Sequence, residues 1–184
     1  MRRLGSFHFV TLDGHHATVD GDTSWHPHDP ESAKFAEESM RPGGTLVFGR
    51  HTYEMMSGFW PTPVAKQQLP AVAAGMNDAD KLVFSRTLTK ADWSGTTLVR
   101  EDAVAAMKRL KTGPGGDLTV LGSATLFRAL LAAGLVDEVQ LLVDPLVLGR
   151  GRPLFDGVPG PLPLRLEESR RFANGSVLLR YAPG

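Results

Sequence analysis

The sequence predicts an α/β fold with a mostly parallel central sheet and an antiparallel hairpin at its C-terminal end. Up to about residue 143, short apolar strands alternate with helical segments. This order is typical of parallel sheets, because each parallel connection needs a crossover. Further on, Asn174-Gly175 lies between two strand-like runs, and Asn-Gly is the strongest short-range hairpin signal. No repeat or linker divides the chain, so we expect residues 1–184 to form a single domain.

Composition excludes several classes of protein. Twenty basic and 20 acidic residues give a net charge of zero, which argues against nucleic-acid and anionic-membrane partners. The chain has no cysteine, and this excludes disulfides, cysteine-ligated metals and thiol catalysis. It contains neither a signal peptide nor an apolar run of the ~20 residues that span a membrane. We therefore expect a cytoplasmic protein.

The first elements are a strand and a helix. The strand is predicted over residues 4–12, an apolar run that the turn pair Asp13-Gly14 ends. Asp29 is a predicted N-cap, because Pro30 follows it and proline favours the first helical position. The apolar side of this helix consists of Phe35, Ala36 and Met40. Pro42, Gly43 and Gly44 are expected to end it.

Short strands dominate the middle of the chain. The apolar runs 45–48, 81–84 and 97–99 each have strand character. A helix is predicted over residues 52–57. The proline-rich stretch 61–70 is expected to be a loop.

Another helix is predicted after residue 100. Glu101 and Asp102 begin it, basic residues end it and Gly113 caps it, an order that complements the helix dipole. Strand 118–121 then leads into a helix that ends at Gly134. The apolar side of that helix consists of Leu126, Leu130 and Leu131. The remaining strands are predicted over residues 139–143, 164–172 and 177–181.

Three predicted parallel strands end in small and polar residues, at positions 49–52, 85–87 and 122–125. Ligands of open parallel sheets bind outside the carboxyl ends of the strands. Arg50 and Arg86 would offer donors to phosphate oxygens, and Gly122-Ser123 would open a helix with free N–H groups. The sequence therefore predicts a site for a phosphate-bearing ligand. A single turn of this kind would indicate only the end of a strand, whereas three at matching strand ends favour a ligand site.

The motifs resemble one known superfamily over residues 4–182. The run 45–54, Thr-Leu-Val-Phe-Gly-Arg-His-Thr-Tyr-Glu, is similar to the strand and G-R-x-T segment of the dihydrofolate reductase superfamily. Residues 7–14 resemble its first-strand motif. Segments 120–139 and 145–155, with Gly-Phe-Trp-Pro at 58–61, resemble the riboflavin-biosynthesis reductase (RibD C-terminal) branch and its stand-alone bacterial members. The resemblance implies a three-layer dihydrofolate reductase-like fold and an NADPH-dependent reductase.

The resemblance also implies which residues bind the cofactor. The residues expected along the nicotinamide are Val10, Thr11 and Leu12. Those expected at the 2′-phosphate side are Gly49, Arg50 and Thr52, together with Ser85, Arg86 and Thr87. Those expected at the pyrophosphate are Gly122, Ser123, Ala124, Thr125 and Leu126. The candidates for the substrate pocket are Asp13, Phe35 and Trp60, of which the two aromatic residues are equally consistent with core packing.

Two departures leave the substrate and the proton donor open. Dihydrofolate reductases carry an acid inside the substrate-facing helix, but the matching place here holds Ser32-Ala33. Asp29 and Glu31 are better explained as a cap and a first-turn acid. The Glu-Gly-Gly of riboflavin-pathway reductases is replaced by Leu121-Gly122-Ser123. The early histidines at positions 8, 15, 16, 26 and 28 lack a metal-ligand spacing and are expected to be solvated.

The leading functional hypothesis is hydride transfer from NADPH to a C=N or C=O carbon of a small, heterocyclic substrate. The alternatives are a non-catalytic nucleotide-binding regulatory module and a 5-amino-6-(5-phosphoribosylamino)uracil reductase. We also expect a homodimer, because Leu141, Val143, Leu178 and Tyr181 would leave an apolar antiparallel edge exposed. The glycine-rich segment 145–155 would lie near that interface.

Overall fold

The protein is seen in a computed structural model that describes residues 1–27, 29–39 and 43–184. Its strands are β1 (Leu4–Thr11), β2 (His15–Ala17), β3 (Thr45–Gly49), β4 (Asp80–Phe84), β5 (Thr96–Val99), β6 (Leu118–Leu121), β7 (Glu138–Asp144), β8 (Arg152–Pro153), β9 (Leu164–Arg171) and β10 (Val177–Pro183). Its helices are α1 (Pro30–Ser39), α2 (Arg50–Phe59), α3 (Pro63–Gln68), α4 (Pro70–Asp78), α5 (Ala103–Thr112) and α6 (Ala124–Ala132). None of the described helices is long and apolar enough to cross a membrane.

The main sheet has the strand order β5-β4-β3-β6-β1-β7-β10-β9. The first six of these strands run parallel to one another. The hairpin β9–β10 continues the sheet in antiparallel pairing with β7, and its turn places Gly175 at a φ of +92°, which favours glycine. This confirms the predicted mostly parallel sheet with its C-terminal hairpin. The carboxyl ends of the six parallel strands all lie at one edge.

Helices cover both faces of the sheet. Val47 of β3 packs with Met107 of α5 and Phe127 of α6. The neighbouring Phe48 points to the opposite face and packs with residues of α2 and α4. On that same side, Phe35 of α1 packs over the β1–β7–β10 part of the sheet. The predicted three-layer arrangement is therefore confirmed.

The structure corrects the prediction of a loop over residues 61–70. Residues 63–68 form α3 and residues 70–78 form α4. Proline stands at the start of both helices, and the hydroxyl of Thr62 accepts a hydrogen bond from the amide of Ala65 at 3.3 Å. Because the missing N–H of proline costs nothing in the first helical turn, these prolines begin helices rather than interrupt them. Helix α2 also begins at Arg50, two residues before the predicted start.

The prediction of solvated histidines is wrong at two positions. His8 is buried inside β1 and His26 is buried in the loop before α1, with 2% and 5% of their surface exposed. His15 and His16 belong to the short strand β2, which pairs with β8, and both are half-buried. His28, Met40 and Pro42, which the sequence analysis also named, lie outside the described residues.

Candidate functional site

Two helices begin side by side at the carboxyl edge of the sheet. Strand β3 leads directly into α2 and its neighbour β6 leads into α6. The amide of Gly49 donates to Oγ of Ser123 at 2.8 Å, and the amide of Ser123 donates to Oγ1 of Thr52 at 3.1 Å. These reciprocal hydrogen bonds hold the two helix N-termini together. The structure thus brings together two of the three predicted strand-end turns.

Gly122 and Ser123 both adopt the left-handed conformation, each with a φ of 53°. A Cβ atom on Gly122 would lie 3.3 Å from Cγ2 of Thr52, so the close approach of the two helices depends on this glycine. Left-handed backbone at a residue other than glycine costs of order 1–3 kcal/mol and is often found at ligand sites. Ser123 is the one non-glycine residue in the described chain with a positive φ.

The N-termini of α2 and α6 are open, unlike those of α1, α3 and α5. Neither has a side-chain cap or an acidic residue in its first turn. In contrast, Asp102 caps α5 and Asp29 accepts hydrogen bonds from the first amides of α1. Free N–H groups and the positive ends of two helix dipoles attract anions. This edge can therefore bind a phosphate-bearing ligand.

Two arginines lie near the start of α2. The guanidinium of Arg50 lies 2.7 Å from Nε2 of His51 and 4.0 Å from the carboxylate of Glu54. Arg86 and Thr87 are exposed in the turn after β4. The hydroxyl oxygen of Ser85 accepts hydrogen bonds from the amides of Thr87 and Leu88, at 3.2 and 2.9 Å, and shapes this turn.

Arg100 also lies at this edge, and the sequence analysis missed it. It follows β5 directly, and its guanidinium donates to the carbonyl oxygens of Arg86 and Thr89, at 3.4 and 3.3 Å. The signal was available, because Val99-Arg100 repeats the pattern of Gly49-Arg50 at the end of a strand. The acidic pair Glu101 and Asp102 that follows it indicates a helix start rather than a ligand site.

The end of β1 lies two strands from β3. Val10 and Thr11 are buried, whereas Leu12 is 69% exposed. The remaining pyrophosphate candidates occupy the first turn of α6, where Ala124 and Leu126 are buried and Thr125 is exposed. The exposed side chains of Leu12 and Thr125 are therefore the ones at these positions that a bound ligand could contact.

The carboxylate of Asp13 ties the end of β1 to the segment after β7. It accepts hydrogen bonds from the hydroxyl of Thr11 at 2.6 Å and from the amides of Gly149 and Leu148 at 2.8 and 3.2 Å. The hydroxyl of Thr11, followed by these amides, holds the pKa of the Asp13 carboxyl well below its usual range. Asp13 therefore remains ionised and fixes the segment after β7 against the end of β1.

The two aromatic pocket candidates lie in different clusters. Phe35 packs against Phe7 and Phe172 and is 7% exposed. Trp60 is half-buried at the end of α2, where its Nε1 lies 3.1 Å from Sδ of Met56. Their contacts match the packing alternative, and the structure does not bring the two rings together.

A buried polar network at the end of β7 was not predicted. Asp144 accepts from Oγ of Ser176 at 2.6 Å, and its other oxygen lies 2.6 Å from Nδ1 of His26. The imidazole of His26 stacks on Phe9, with 3.7 Å between the ring centres. Asp144 pairs with Thr11 of β1, so the network lies beside the edge that carries the open helix ends.

The acids near the start of α1 are used structurally. Asp29 caps the helix and also accepts a hydrogen bond from the amide group of Asn174. The carboxylate of Glu31 accepts from the amide of Ala173 at 2.7 Å. These contacts bind α1 to the β9–β10 turn. Within the described residues, no group of three or more His, Asp or Glu side chains could hold a metal ion.

Comparison with known proteins identifies relatives of this fold. The family model described as the RibD C-terminal domain matches residues 3–178. The uncharacterized protein YyaP of Bacillus subtilis (strain 168) is 29% identical over 175 residues, which span 94% of this chain and 90% of that protein.

Solved structures share the architecture as well. The chain is similar to a structure from Shewanella sp. PV-4 that is named a riboflavin biosynthesis protein. The TM-score is 0.73 and the identity 21%, over 99% of both chains. Dihydrofolate reductase from Enterococcus faecalis, complexed with NADP(H) and RAB-propyl, is similar with a TM-score of 0.65 and 18% identity, over 99% of this chain and 96% of that one. At these identities the likeness shows the fold, and the predicted dihydrofolate reductase-like fold is confirmed.

Proposed function

The chain belongs to the RibD C-terminal domain family, and from this premise we propose that it is an NADPH-dependent reductase of a small, heterocyclic substrate. The observation that carries the proposal is the pair of open helix N-termini at the carboxyl edge of the sheet, with Arg50 and Arg86 beside them. A dinucleotide that carries an additional phosphate has the charge and the length to use both features. When bound, NADPH supplies the hydride for a C=N or C=O carbon.

The residues present fit the phosphates of such a cofactor. The left-handed pair Gly122 and Ser123 opens α6, and the pyrophosphate would bind at the uncapped first amides of this helix, those of Ala124, Thr125 and Leu126. Gly49 and Thr52 support this turn through their hydrogen bonds to Ser123. The 2′-phosphate would contact Arg50 and the turn formed by Ser85, Arg86 and Thr87, because guanidinium groups bind phosphate oxygens with charge-assisted hydrogen bonds.

The substrate would enter at the other end of the same edge. Val10, Thr11 and Leu12 would border the nicotinamide, and Asp13 would hold the neighbouring loop. Phe35 and Trp60 serve in packing and are not included in this site. The carboxylates of Asp29 and Glu31 already accept backbone hydrogen bonds. We therefore propose that water delivers the proton that the reduced heteroatom needs.

Cofactor oxidation tests this proposal. NADPH absorbance at 340 nm would be followed with a panel of pteridines, pyrimidines and other heterocycles, after NADPH binding has been measured separately by calorimetry. Binding without turnover on any compound would favour the non-catalytic nucleotide-binding module. Turnover confined to 5-amino-6-(5-phosphoribosylamino)uracil would favour the riboflavin-pathway reductase. Absence of NADPH binding would contradict both the proposal and these alternatives.

We propose that one domain, residues 1–184, acts as a homodimer in the cytoplasm. Leu179 and Tyr181 pair with Leu141 and Val139 of β7 and therefore share one sheet face. Both residues are partly exposed, and Leu166 of β9 is 52% exposed on the same face. Leu178 corrects the expected patch, because strand alternation turns it to the opposite face, where it is fully buried with Phe172.

A further inference from the structure

A cationic cluster lies outside the site described above. It consists of His16 of β2, Arg152 of β8 and Arg128 of α6, and we call it the ribbon cluster. Strands β2 and β8 pair with Ala17 opposite Arg152, so Arg152 lies beside the residue that follows His16. The guanidinium of Arg128 reaches the same strand, where it donates to the carbonyl oxygen of Pro153 at 3.4 Å. Three elements that are distant in the sequence therefore bring these side chains together.

Neutral groups orient the two arginines. Nε of Arg152 donates to the carbonyl oxygen of Val19 at 3.1 Å. The terminal nitrogens of Arg128 donate to the carbonyl oxygen of Pro153 and to Oγ1 of Thr125, both at 3.4 Å. A guanidinium has five N–H donors, so these hydrogen bonds use only some of the donors of each arginine. The two charges are therefore held in place with donors left for a ligand.

Acidic side chains do not balance the charge of the cluster. Asp156 lies 3.9 Å from Arg128, and its side chain is 74% exposed. Among the residues that the structure describes, no other carboxylate lies within 4.0 Å of a side-chain nitrogen of the cluster. Burial, followed by the charges of Arg128, Arg152 and His15, lowers the pKa of His16. Because like charges that lie close together repel, an anion bound among them would stabilise the cluster.

The cluster is separate from the place proposed for the cofactor phosphates. Those phosphates are assigned to the first amides of α6, at residues 124–126. Arg128 lies about one helical turn beyond the first residue of this helix, and its guanidinium contacts β8 rather than the strands that carry Arg50 and Arg86. Leu154, which follows β8, is buried with Phe127 of α6. The cluster therefore lies over the α6 face of the sheet.

We propose that the ribbon cluster binds a phosphate group that does not belong to the cofactor. The two guanidinium groups would supply charge-assisted hydrogen bonds to its oxygens, and the imidazole of His16 would add a donor when it is protonated. The phosphate group is either free inorganic phosphate or the phosphate ester of a small organic ligand. This inference goes beyond the proposed reductase function and does not depend on it.

The imidazole of His16 reports directly on the site, and its titration can be followed by NMR without any substrate. His16→Gln identifies its resonance among those of the 6 histidines. The probes are inorganic phosphate and glycerol 3-phosphate at constant ionic strength, with acetate as a carboxylate control. The titrations are repeated with saturating NADPH. His15 and His8 are the other titratable groups that interact with His16, and their resonances are followed in the same spectra.

Phosphate should raise the pKa of His16, because a bound anion stabilises the imidazolium form, and NADPH should leave this effect in place. Arg152→Gln and Arg128→Gln should each weaken phosphate binding roughly 10- to 100-fold, the size of a lost charge-assisted hydrogen bond. Arg165→Gln is the control, since Arg165 is an exposed arginine on β9 that pairs with Glu167, and it should behave as wild type. Tighter binding of glycerol 3-phosphate would identify an organic phosphate as the ligand, and equal or tighter binding of inorganic phosphate would identify the free ion.

Three results would overturn the inference. The first is a pKa of His16 that phosphate does not change. The second is an equal effect of acetate, or equal phosphate binding by wild type, Arg128→Gln and Arg152→Gln, since either would show only non-specific screening. The third is loss of the phosphate effect when NADPH is bound, which would assign the cluster to the cofactor site. A protein that does not bind NADPH would contradict the proposed function but would leave the phosphate titration without NADPH as a complete test.

Discussion

His8 should make the stability of the protein sensitive to mild acid. Its imidazole is buried in β1, 4.3 Å from the ring of Phe127, and its Nε2 has no hydrogen-bond partner among the described residues. Burial, with a smaller contribution from the nearby His16, lowers the pKa of His8 from 6.5 to about 3. The folded protein therefore keeps His8 neutral at a pH where the unfolded chain binds a proton.

The sign and size of the effect follow from this difference in protonation. Because the pKa of His8 is lower in the folded protein, the free energy of unfolding has its full value above pH 6.5. It decreases as the pH falls from 6.5 toward 3, since only the unfolded chain binds the proton. Each pKa unit corresponds to about 1.4 kcal/mol. Protonation of His8 in the unfolded chain should therefore lower the free energy of unfolding by about 2 kcal/mol between pH 7.5 and pH 5. That is a large part of the 5–15 kcal/mol by which domains of ordinary stability are folded.

Urea unfolding at pH 7.5, 6.5, 5.5 and 5.0 measures this cost. His8→Leu removes the titrating group and its unpaired nitrogen while keeping an apolar side chain in β1. The variant should lose about 2 kcal/mol less than wild type between pH 7.5 and pH 5, whereas His51→Gln, at an exposed position, should keep the wild-type slope. Parallel pH profiles for wild type and His8→Leu would refute the reasoning.

Four further predictions concern the site and the assembly. Arg50→Gln should weaken NADPH roughly 10- to 100-fold and NADH much less, and calorimetry that finds equal wild-type affinity for the two cofactors would contradict this. Gly122→Ala should weaken NADPH binding and lower the melting temperature, because residue 122 has a φ of +53° and its new Cβ would lie 3.3 Å from Thr52. An unchanged melting temperature would argue against the close approach of the two helices. Dihydrofolate should be reduced far more slowly than the roughly 1–10³ per second of ordinary enzymes, and a turnover within that range would show that an acid is supplied elsewhere. Light scattering should give twice the chain mass of 19.9 kDa, and Tyr181→Asp should give monomers; a monomeric wild type at micromolar concentration would exclude the dimer.

The order of strands and helices could be predicted because local signals and tertiary packing agree. Asp102 and Gly113 were predicted to bound a helix, and they cap α5 at its two ends. Asn174-Gly175 was predicted to form the hairpin turn that joins β9 and β10. At Asp102, whose side chain caps the helix, and at Gly175, which has a positive φ, residue type and local structure have a direct physical relation, so one sequence is enough.

The buried polar groups could not be predicted, because their burial depends on distant segments. His26 is buried because Asp144, 118 residues away, and Phe9 enclose it. Nothing near His26 in the sequence indicates this partnership. Leu178 shows a related limit, since the alternation of a strand tells which residues share a face but not which face the helices cover. The two helices α3 and α4 were missed for a local reason, because proline signals both loops and helix starts.

The strained turn at Ser123 predicts that the proposed cofactor also acts as a structural ligand. Without an anion, the amides at the starts of α2 and α6 have no side-chain caps, and unsatisfied helix ends lower stability. A phosphate at this edge would satisfy both helices at once while the Gly49–Ser123–Thr52 hydrogen bonds keep them together. Helices α1, α3 and α5 carry their own side-chain caps and gain nothing from the ligand. Binding should therefore stabilise the fold at the junction of β3 and β6 in particular, and this links the left-handed backbone of the turn to the recognition of the cofactor.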